Sequence, residues 1–334
     1  MSENEHFSRG IRGIPRFFPV CPGQSAFSRP LLLRAGILWC MISSHTAEKI
    51  FIIISAAARG TGRIMFTAKN YVLASSLEEA YRLNRRKGCR IVGGMQWMKM
   101  ERSSFDTLID LSALHLDTIA ENETGWQIGA MTTLRQLEQH KELEAYTGGA
   151  MKEALRHIVG VQFRNLATVG GTAAGRYGFS DLLTLLLVLP TQVTLYKAGN
   201  VPIADYLRCG LQEDMITGIH IDRSPLSCHY ESMRLTETDL PILTCAVSRT
   251  DTLWRIAIGA RPQRAIEYIE PAGADTDPDG IARRAADNIP VGSNMRASAD
   301  YRRHLIRVLV RRSIEALQDT DHLHTQGERH ADQG

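Results

Sequence analysis

From Met65 onward, apolar positions fall into short runs separated by polar turns and glycines. Phe66 to Val72 reads as an extended segment. Ser76 with Glu79 three residues on makes a capping box, and Leu77, Ala80, Tyr81 and Asn84 give the helix it opens one mostly apolar face, closed by Gly88. Arg90 to Val92 is a short β-like run that stops at Gly93-Gly94, and Thr107–Leu111 and Trp126–Ala130 read as further strands. Thr133 with Gln136 opens another helix, and a further one spans Gly149–Ile158. Ser180 caps a helix that starts at Asp181, runs through Leu182–Leu189 and ends at Pro190. Val193–Tyr196, Ile216–Ile221, Ile242–Ser248 and Leu253–Ile258 read as strands, and helices return near Gly280–Asn288 and Tyr301–Leu317.

Helices and strands alternate early, strands dominate the middle and helices close the chain, an order that fits α+β better than a doubly wound sheet. A domain boundary falls near Asp222–Ser227, and no internal repeat is present. Residues 1–64 differ from the rest: Pro15, Pro19, Pro22 and Pro30 punctuate a stretch with scattered arginines and no sustained period. Two readings stand for it, an extension created by a misplaced start with Met65 as the working initiator, or a poorly packed N-terminal arm.

Composition narrows the class without naming a function. The 334 residues are 44% hydrophobic and 22% charged, ordinary for a globular protein of two or three domains. A net charge of +3 is too mild to argue for nucleic acid. The six cysteines include no C-x-x-C pair and no histidine at metal-ligand spacing, which points to free thiols in a reducing, cytoplasmic compartment and excludes an iron–sulfur cluster on this chain. The longest uncharged apolar runs fall short of a membrane span.

Two segments carry the chemical signal: Ile91-Val92-Gly93-Gly94-Met95-Gln96 and Ala167-Thr168-Val169-Gly170-Gly171-Thr172. Each places a Gly-Gly step after an apolar, β-branched run. Without Cβ atoms, backbone amides can converge on an anion at close range, so two such segments face to face could hold a dinucleotide by its diphosphate. The bland alternative is a pair of tight turns between strands. Neither segment matches G-x-G-x-x-G or a P-loop.

At these residues the chain resembles the FAD-binding subunit of the molybdenum hydroxylases, the xanthine dehydrogenase and carbon monoxide dehydrogenase family. Arg164-Asn165-Leu166-Ala167-Thr168-Val169-Gly170-Gly171, followed by Ser180-Asp181 before a leucine-rich helix, carries the likeness. Ile91–Gln96, Ile128–Thr133 and Tyr301–Arg312 extend it, in order, over about Met65–Leu317. The resemblance implies a two-lobed FAD-binding fold of the vanillyl-alcohol-oxidase-like, PCMH type over 65–224. A smaller C-terminal domain of three strands plus helices over 228–320 and a tail at 321–334 follow. It implies FAD, bound without a covalent tether, cradled by Ile91, Val92, Gly93, Gly94, Met95, Gln96 and Trp97 and by Thr168, Val169, Gly170, Gly171 and Thr172. Asp181 would help to fix it, with Ile158, Ile216 and Glu231 as looser contacts. It further implies a partner subunit with [2Fe–2S] clusters, another with molybdopterin, and an external electron acceptor such as NAD⁺.

The chain makes three departures from the family pattern, over four positions. Met95-Gln96 replaces Thr-Asp, Thr172 stands where Asn is usual, and Glu231 stands where some members carry Lys. Asp181 also has a plain role as an acid complementing a helix N-terminus, and Trp97 as a packing residue. Arg302, Arg303, Arg307, Arg311 and Arg312 read as a basic face on the last helix, with Ile306, Val310, Ile314 and Leu317 facing the core; no aromatic interleaving suggests nucleic acid. A self-sufficient flavin oxidase and a flavin-free scaffold subunit are the rival readings.

Overall fold

The computed structural model describes residues 66–210, 213–273 and 277–331, by backbone alone from 320. The expectations for residues 1–64 lie outside the described residues.

The first lobe is a parallel sheet of β1 (Thr67–Leu73), β2 (Cys89–Val92) and β3 (Ser104–Asp110) in the order β1-β3-β2. Helix α1 (Leu77–Asn84) connects β1 to β2, parallel strands that flank β3, the kind of crossover a parallel sheet requires. Ser76 Oγ accepts from the Glu79 amide at 3.1 Å, so the helix starts where the sequence indicates, but the Glu79 carboxylate accepts from Ser75 rather than closing the expected capping box. Ala74, Ala80, Ile109, Leu111 and Met215 form the small core.

The second lobe is built on an antiparallel sheet in the order β4-β5-β8-β6-β7, from β4 (Ile119–Asn122), β5 (Gly125–Gly129), β6 (Thr191–Leu195), β7 (Gly199–Pro202) and β8 (Ile216–Asp222). Between β5 and β6 run α2 (Leu134–Glu138), α3 (Lys141–Tyr146), α4 (Ala150–Arg156), α5 (Val161–Arg164), α6 (Val169–Gly175) and α7 (Asp181–Leu186). Helix α8 (Ile203–Cys209) joins β7 to β8. The leucines of α7 pack with Trp126, Ile128, Met151, Val193 and Ile219 in the main core. This is the two-lobed α+β arrangement expected from the sequence.

The third sheet corrects one expectation. It has four strands, not three: β9 (Ser227–Met233), β10 (Leu243–Arg249), β11 (Leu253–Gly259) and β12 (Ile266–Pro271), antiparallel in the order β12-β11-β10-β9. The text of β9, Ser-Cys-His-Tyr-Glu-Ser-Met, hides it because its polar residues outnumber its three apolar ones. Cys228 and Tyr230 enter the main core, whereas His229 turns to the opposite face and meets Ser313 at 3.2 Å. That opposite face is covered by α9 (Pro278–Asn288) and α10 (Ala299–Ala331), which runs well past the expected end at Leu317.

The sheet is therefore buried on both sides. Along β10, Cys245 and Val247 face the terminal helices while Ala246 faces the main core. Its small polar residues let α7 approach closely: Thr244 Oγ1 lies 2.9 Å from Thr184 Oγ1, and Ser248 Oγ donates to the Val188 carbonyl at 2.6 Å. Arg302 also departs from its assigned place. It is fully buried, donating to the carbonyls of Ile242, Gly292 and Ala297 and to Asn294 Oδ1, while Arg303, Arg307, Arg311 and Arg312 keep the outer face.

Candidate functional site

The two glycine segments meet. A Cβ on Gly94 would sit 1.6 Å from the Leu166 carbonyl oxygen, and one on Gly93 would sit 2.5 Å from Thr168 Oγ1. The glycines thus let the loop after β2 cross against the segment leading into α6. Met95 takes a left-handed conformation, φ 53°, which turns the chain out of the crossing. No backbone amide from Gly93 through Trp97 has a hydrogen-bond partner among the described residues. Gln96 folds back onto its own loop, donating to the Gly94 carbonyl at 2.7 Å and accepting from Lys99 Nζ at 2.9 Å. It supplies loop rigidity where the family pattern has a carboxylate.

The second segment is not the expected bend but the start of α6, capped by Thr168. Its amides are consumed internally. Val169 and Gly170 donate to the carbonyls of Thr132 and Ala130, each at 2.8 Å, Gly171 donates to Thr168 Oγ1 at 3.1 Å, and Thr172 donates to the Thr168 carbonyl at 2.9 Å. The Thr172 hydroxyl donates to that same carbonyl. A Cβ on Gly170 would lie 2.7 Å from the Ala130 oxygen, so this glycine serves close packing against β5. The cradle is asymmetric: free donors belong to the first loop, and the second offers a wall of small residues, with Gly171 and Ala174 exposed.

Three contiguous cavities form one cleft across these segments. One end is lined by Ile91, Val92, Leu111, Met131, Met215 and Ile216, and Gly170 also reaches it. The middle is lined by Arg90, Gly93, Gly94, Met95, Gln96, Trp97, Thr168, Gly171 and Thr172. The far end is lined by Trp97, Ile158, Phe163, Tyr177, Phe179, Asp181 and Arg234. Fourteen of the sixteen residues singled out in the sequence line one part or another of this cleft. Val169 does not, being 1% exposed in the main core. Glu231 does not either: the pleat of β9 turns it to the side of His229, away from the cleft, and Tyr230 and Arg234 reach toward the cleft instead. No described cysteine lines the cleft.

Sequence reasoning missed the aromatic end. Trp97 meets Phe163 and Phe179 edge to face at centroid distances of 5.7 and 5.3 Å, and Tyr177 stacks on Phe179 at 5.2 Å. The available signal was Tyr177-Gly178-Phe179, directly before the Ser180 cap. Beside these rings, Asp181 is engaged by the C-terminal domain. Its carboxylate accepts from Tyr230 at 2.6 Å and pairs with Arg234. Burial drives the Asp181 pKa up to about 6, and the Arg234 charge and the Tyr230 hydroxyl pull the other way.

Arg164, quoted in the family run, acts beneath the cleft. It forks onto Glu138 at 2.8 and 3.2 Å and donates to the Ile158 carbonyl at 3.2 Å, tying α5 to α2 and fixing the turn that carries Ile158. Burial opposes ionisation of Glu138, but Arg164 and Arg135 more than offset it and hold its pKa below the usual value.

Against known proteins, residues 65–221 match the family described as the FAD binding domain in molybdopterin dehydrogenase. The chain is 28% identical over 240 residues to the uncharacterized protein YgfM of Escherichia coli K12, covering 70% of this chain and 91% of that protein. It is 24% identical to the xanthine dehydrogenase FAD-binding subunit of Escherichia coli O157:H7, covering 61% of this chain and 78% of that subunit. The structure of reconstituted CO dehydrogenase from Oligotropha carboxidovorans superposes with a TM-score of 0.68 at 22% identity, over 77% of this chain and 99% of that one, which establishes the shared fold. Among the described residues no helix is long and apolar enough to cross a membrane. Over residues 65–221, then, the chain matches the FAD-binding domain of the molybdopterin dehydrogenases, in agreement with the oxidoreductase class and the FAD cofactor expected from the sequence.

Proposed function

We propose that the chain is the electron-transfer flavoprotein subunit of a multi-subunit molybdenum hydroxylase. In this reading it takes electrons from [2Fe–2S] clusters on one partner, reduced in turn by a molybdopterin subunit, and passes them to an external acceptor such as NAD⁺. The observation that carries the reading is the run of unpartnered amides at Gly93–Trp97 in the floor of a cleft that ends in an aromatic wall. Amides left without partners suit the diphosphate of a dinucleotide.

FAD, when bound, supplies the redox chemistry; the protein binds, orients and tunes. The amides of Gly93–Trp97 and the Arg90 guanidinium, which has no ion-pair partner among the described residues, would hold the diphosphate. Ile91, Met215 and Ile216 would offer an apolar seat at one end, and the stacked rings of Tyr177 and Phe179, with Trp97 tilted against both, an aromatic wall at the other. Asp181 and Arg234 line that end as a buried ion pair. No side chain is required as a general base.

The test is a titration of the full chain with FAD, read by absorbance and flavin fluorescence, followed by co-purification from its source. Stoichiometric uptake without a covalent adduct, and recovery with iron- and molybdenum-bearing partners, is the expected result. A folded chain that takes up no flavin overturns the proposal.

A further inference from the structure

Where the loop after β11 meets the end of the second lobe, a separate pocket opens. It is lined by Phe179, Gln263, Arg264, Asn294 and Arg296, with the Gly178 and Ala260 backbone closing its base, where the Ala260 amide donates to the Gly178 carbonyl at 2.6 Å. Phe179 and Leu240 line both this pocket and the aromatic end of the cleft.

The polar side chains of this pocket are donors whose own acceptor oxygens are already engaged. The Gln263 carbonyl oxygen accepts from Arg261 at 2.9 Å, which leaves its amide nitrogen free. The Asn294 carbonyl oxygen accepts from Arg302, from the Arg296 amide and from the Ala297 amide, which fixes its orientation and leaves its nitrogen free as well. The Arg264 guanidinium has no partner among the described residues, and the buried Nε of Arg296 has none. Two buried guanidiniums adjoin the pocket without lining it. Arg261 donates to the Arg264 carbonyl, Gln263 and the Pro290 carbonyl, and Arg302 to three carbonyls and Asn294; no carboxylate balances either one. Asp239, paired with Arg296 at 2.9 Å, is the acid nearest this group, and no carboxylate lines the pocket. Two guanidiniums line the pocket, only one of them paired with a carboxylate, and with two free side-chain amide donors they make a site for an oxyanion.

We propose that this pocket binds a phosphate group, as free phosphate or as part of a phosphorylated small molecule. Arg264 supplies the direct charge, and the amide nitrogens of Gln263 and Asn294 complete the contacts. The inference stands apart from flavin binding, because none of these donors lines the middle of the cleft.

The experiment is calorimetric titration of the full chain with inorganic phosphate, alone and with saturating FAD, in wild type and in Arg264→Gln, Arg264→Glu and Arg264→Lys. Arg264 is exposed and its backbone carbonyl alone makes the contact with Arg261, so these changes leave the fold in place. Phosphate binding that survives FAD, weakens about tenfold in Arg264→Gln, disappears in Arg264→Glu and is largely kept by Arg264→Lys is expected. ADP binding more tightly than phosphate in the FAD-saturated protein assigns the site to a phosphorylated molecule; equal affinities assign it to the free anion. Phosphate binding that is unchanged in Arg264→Glu, or that FAD abolishes, overturns the proposal, and the Arg264 arm decides even for a chain that takes no flavin.

Discussion

Arg234, just beyond the last residue of β9, reaches across to the Asp181 carboxylate in the first turn of α7, and both side chains are almost wholly buried, at 7% and 6% exposure. The pair joins the C-terminal sheet to the flavin lobe at the aromatic end of the cleft. Removing one partner strands the other charge away from water. Arg234→Ala is expected to cost about 3–5 kcal/mol in urea denaturation, and Arg234→Ala with Asp181→Asn markedly less than the sum of the single changes.

The same pair has a pH signature. Burial raises the Asp181 pKa to about 6 from an ordinary 3.8, so the folded state takes up a proton at higher pH than the unfolded state does. The contribution of this group is therefore fully present below about pH 4 and is lost as pH rises through about 6. Relative to Asp181→Asn, wild type is expected to lose up to about 3 kcal/mol of stability between pH 4 and pH 7. Denaturation of both proteins across that range checks the sign; a difference that is flat, or that grows with pH, contradicts it.

Glu138 runs the opposite way. Held below its ordinary pKa by Arg164 and Arg135, it stabilises the fold above about pH 4.5 and loses that contribution as the pH falls further. Arg164→Met is expected to destabilise by about 3–5 kcal/mol, whereas Arg164→Met with Glu138→Leu recovers most of the loss. Chemical denaturation at pH 7 of the three proteins measures this.

Gly94 should behave as a packing residue as much as a ligand residue. A methyl group there would overlap the Leu166 carbonyl, so Gly94→Ala must push apart the loop after β2 and the entry to α6. The expected outcome is lost stability of about 2 kcal/mol or more together with lost flavin uptake, read by thermal melts beside FAD titration. Full FAD occupancy with an unchanged melting temperature would falsify the crossing.

Among the described residues Trp97 alone of the tryptophans lines the cleft, while Trp126 and Trp254 are buried in separate cores. Flavin binding is expected to quench tryptophan emission, and Trp97→Phe is expected to abolish most of that quench while FAD uptake persists.

What was legible in the sequence follows from where the physics is local. Ser76, Thr133 and Ser180 announce helix starts because a cap is decided within four residues, and each hydroxyl caps as read. The glycine steps were visible because missing side chains mark close approach, but the text alone does not say what approaches. Gly93 and Gly94 meet the other segment, and Gly170 meets β5. Glu231 came from the family pattern, and the text of β9 does not say which of its two covered faces meets the cleft; the pleat brings Tyr230, one position earlier, toward it instead. The buried Arg302 escaped for a similar reason. A basic residue at helical spacing reads as solvated unless the carbonyls that receive it, which come from loops tens of residues away, are known.

The double burial of the third sheet has a practical corollary. The segment at 222–227 looks like a seam in the text, yet Cys228, Tyr230, Ala246 and Ala257 on its far side complete the core of the lobe on its near side. A shortened protein ending there would bare the leucines of α7 to water and leave Asp181 without its cation, so it should aggregate rather than behave as an independent flavin module. Excision is the wrong tool for dissecting this chain; its halves can be told apart only by point changes made in the intact molecule.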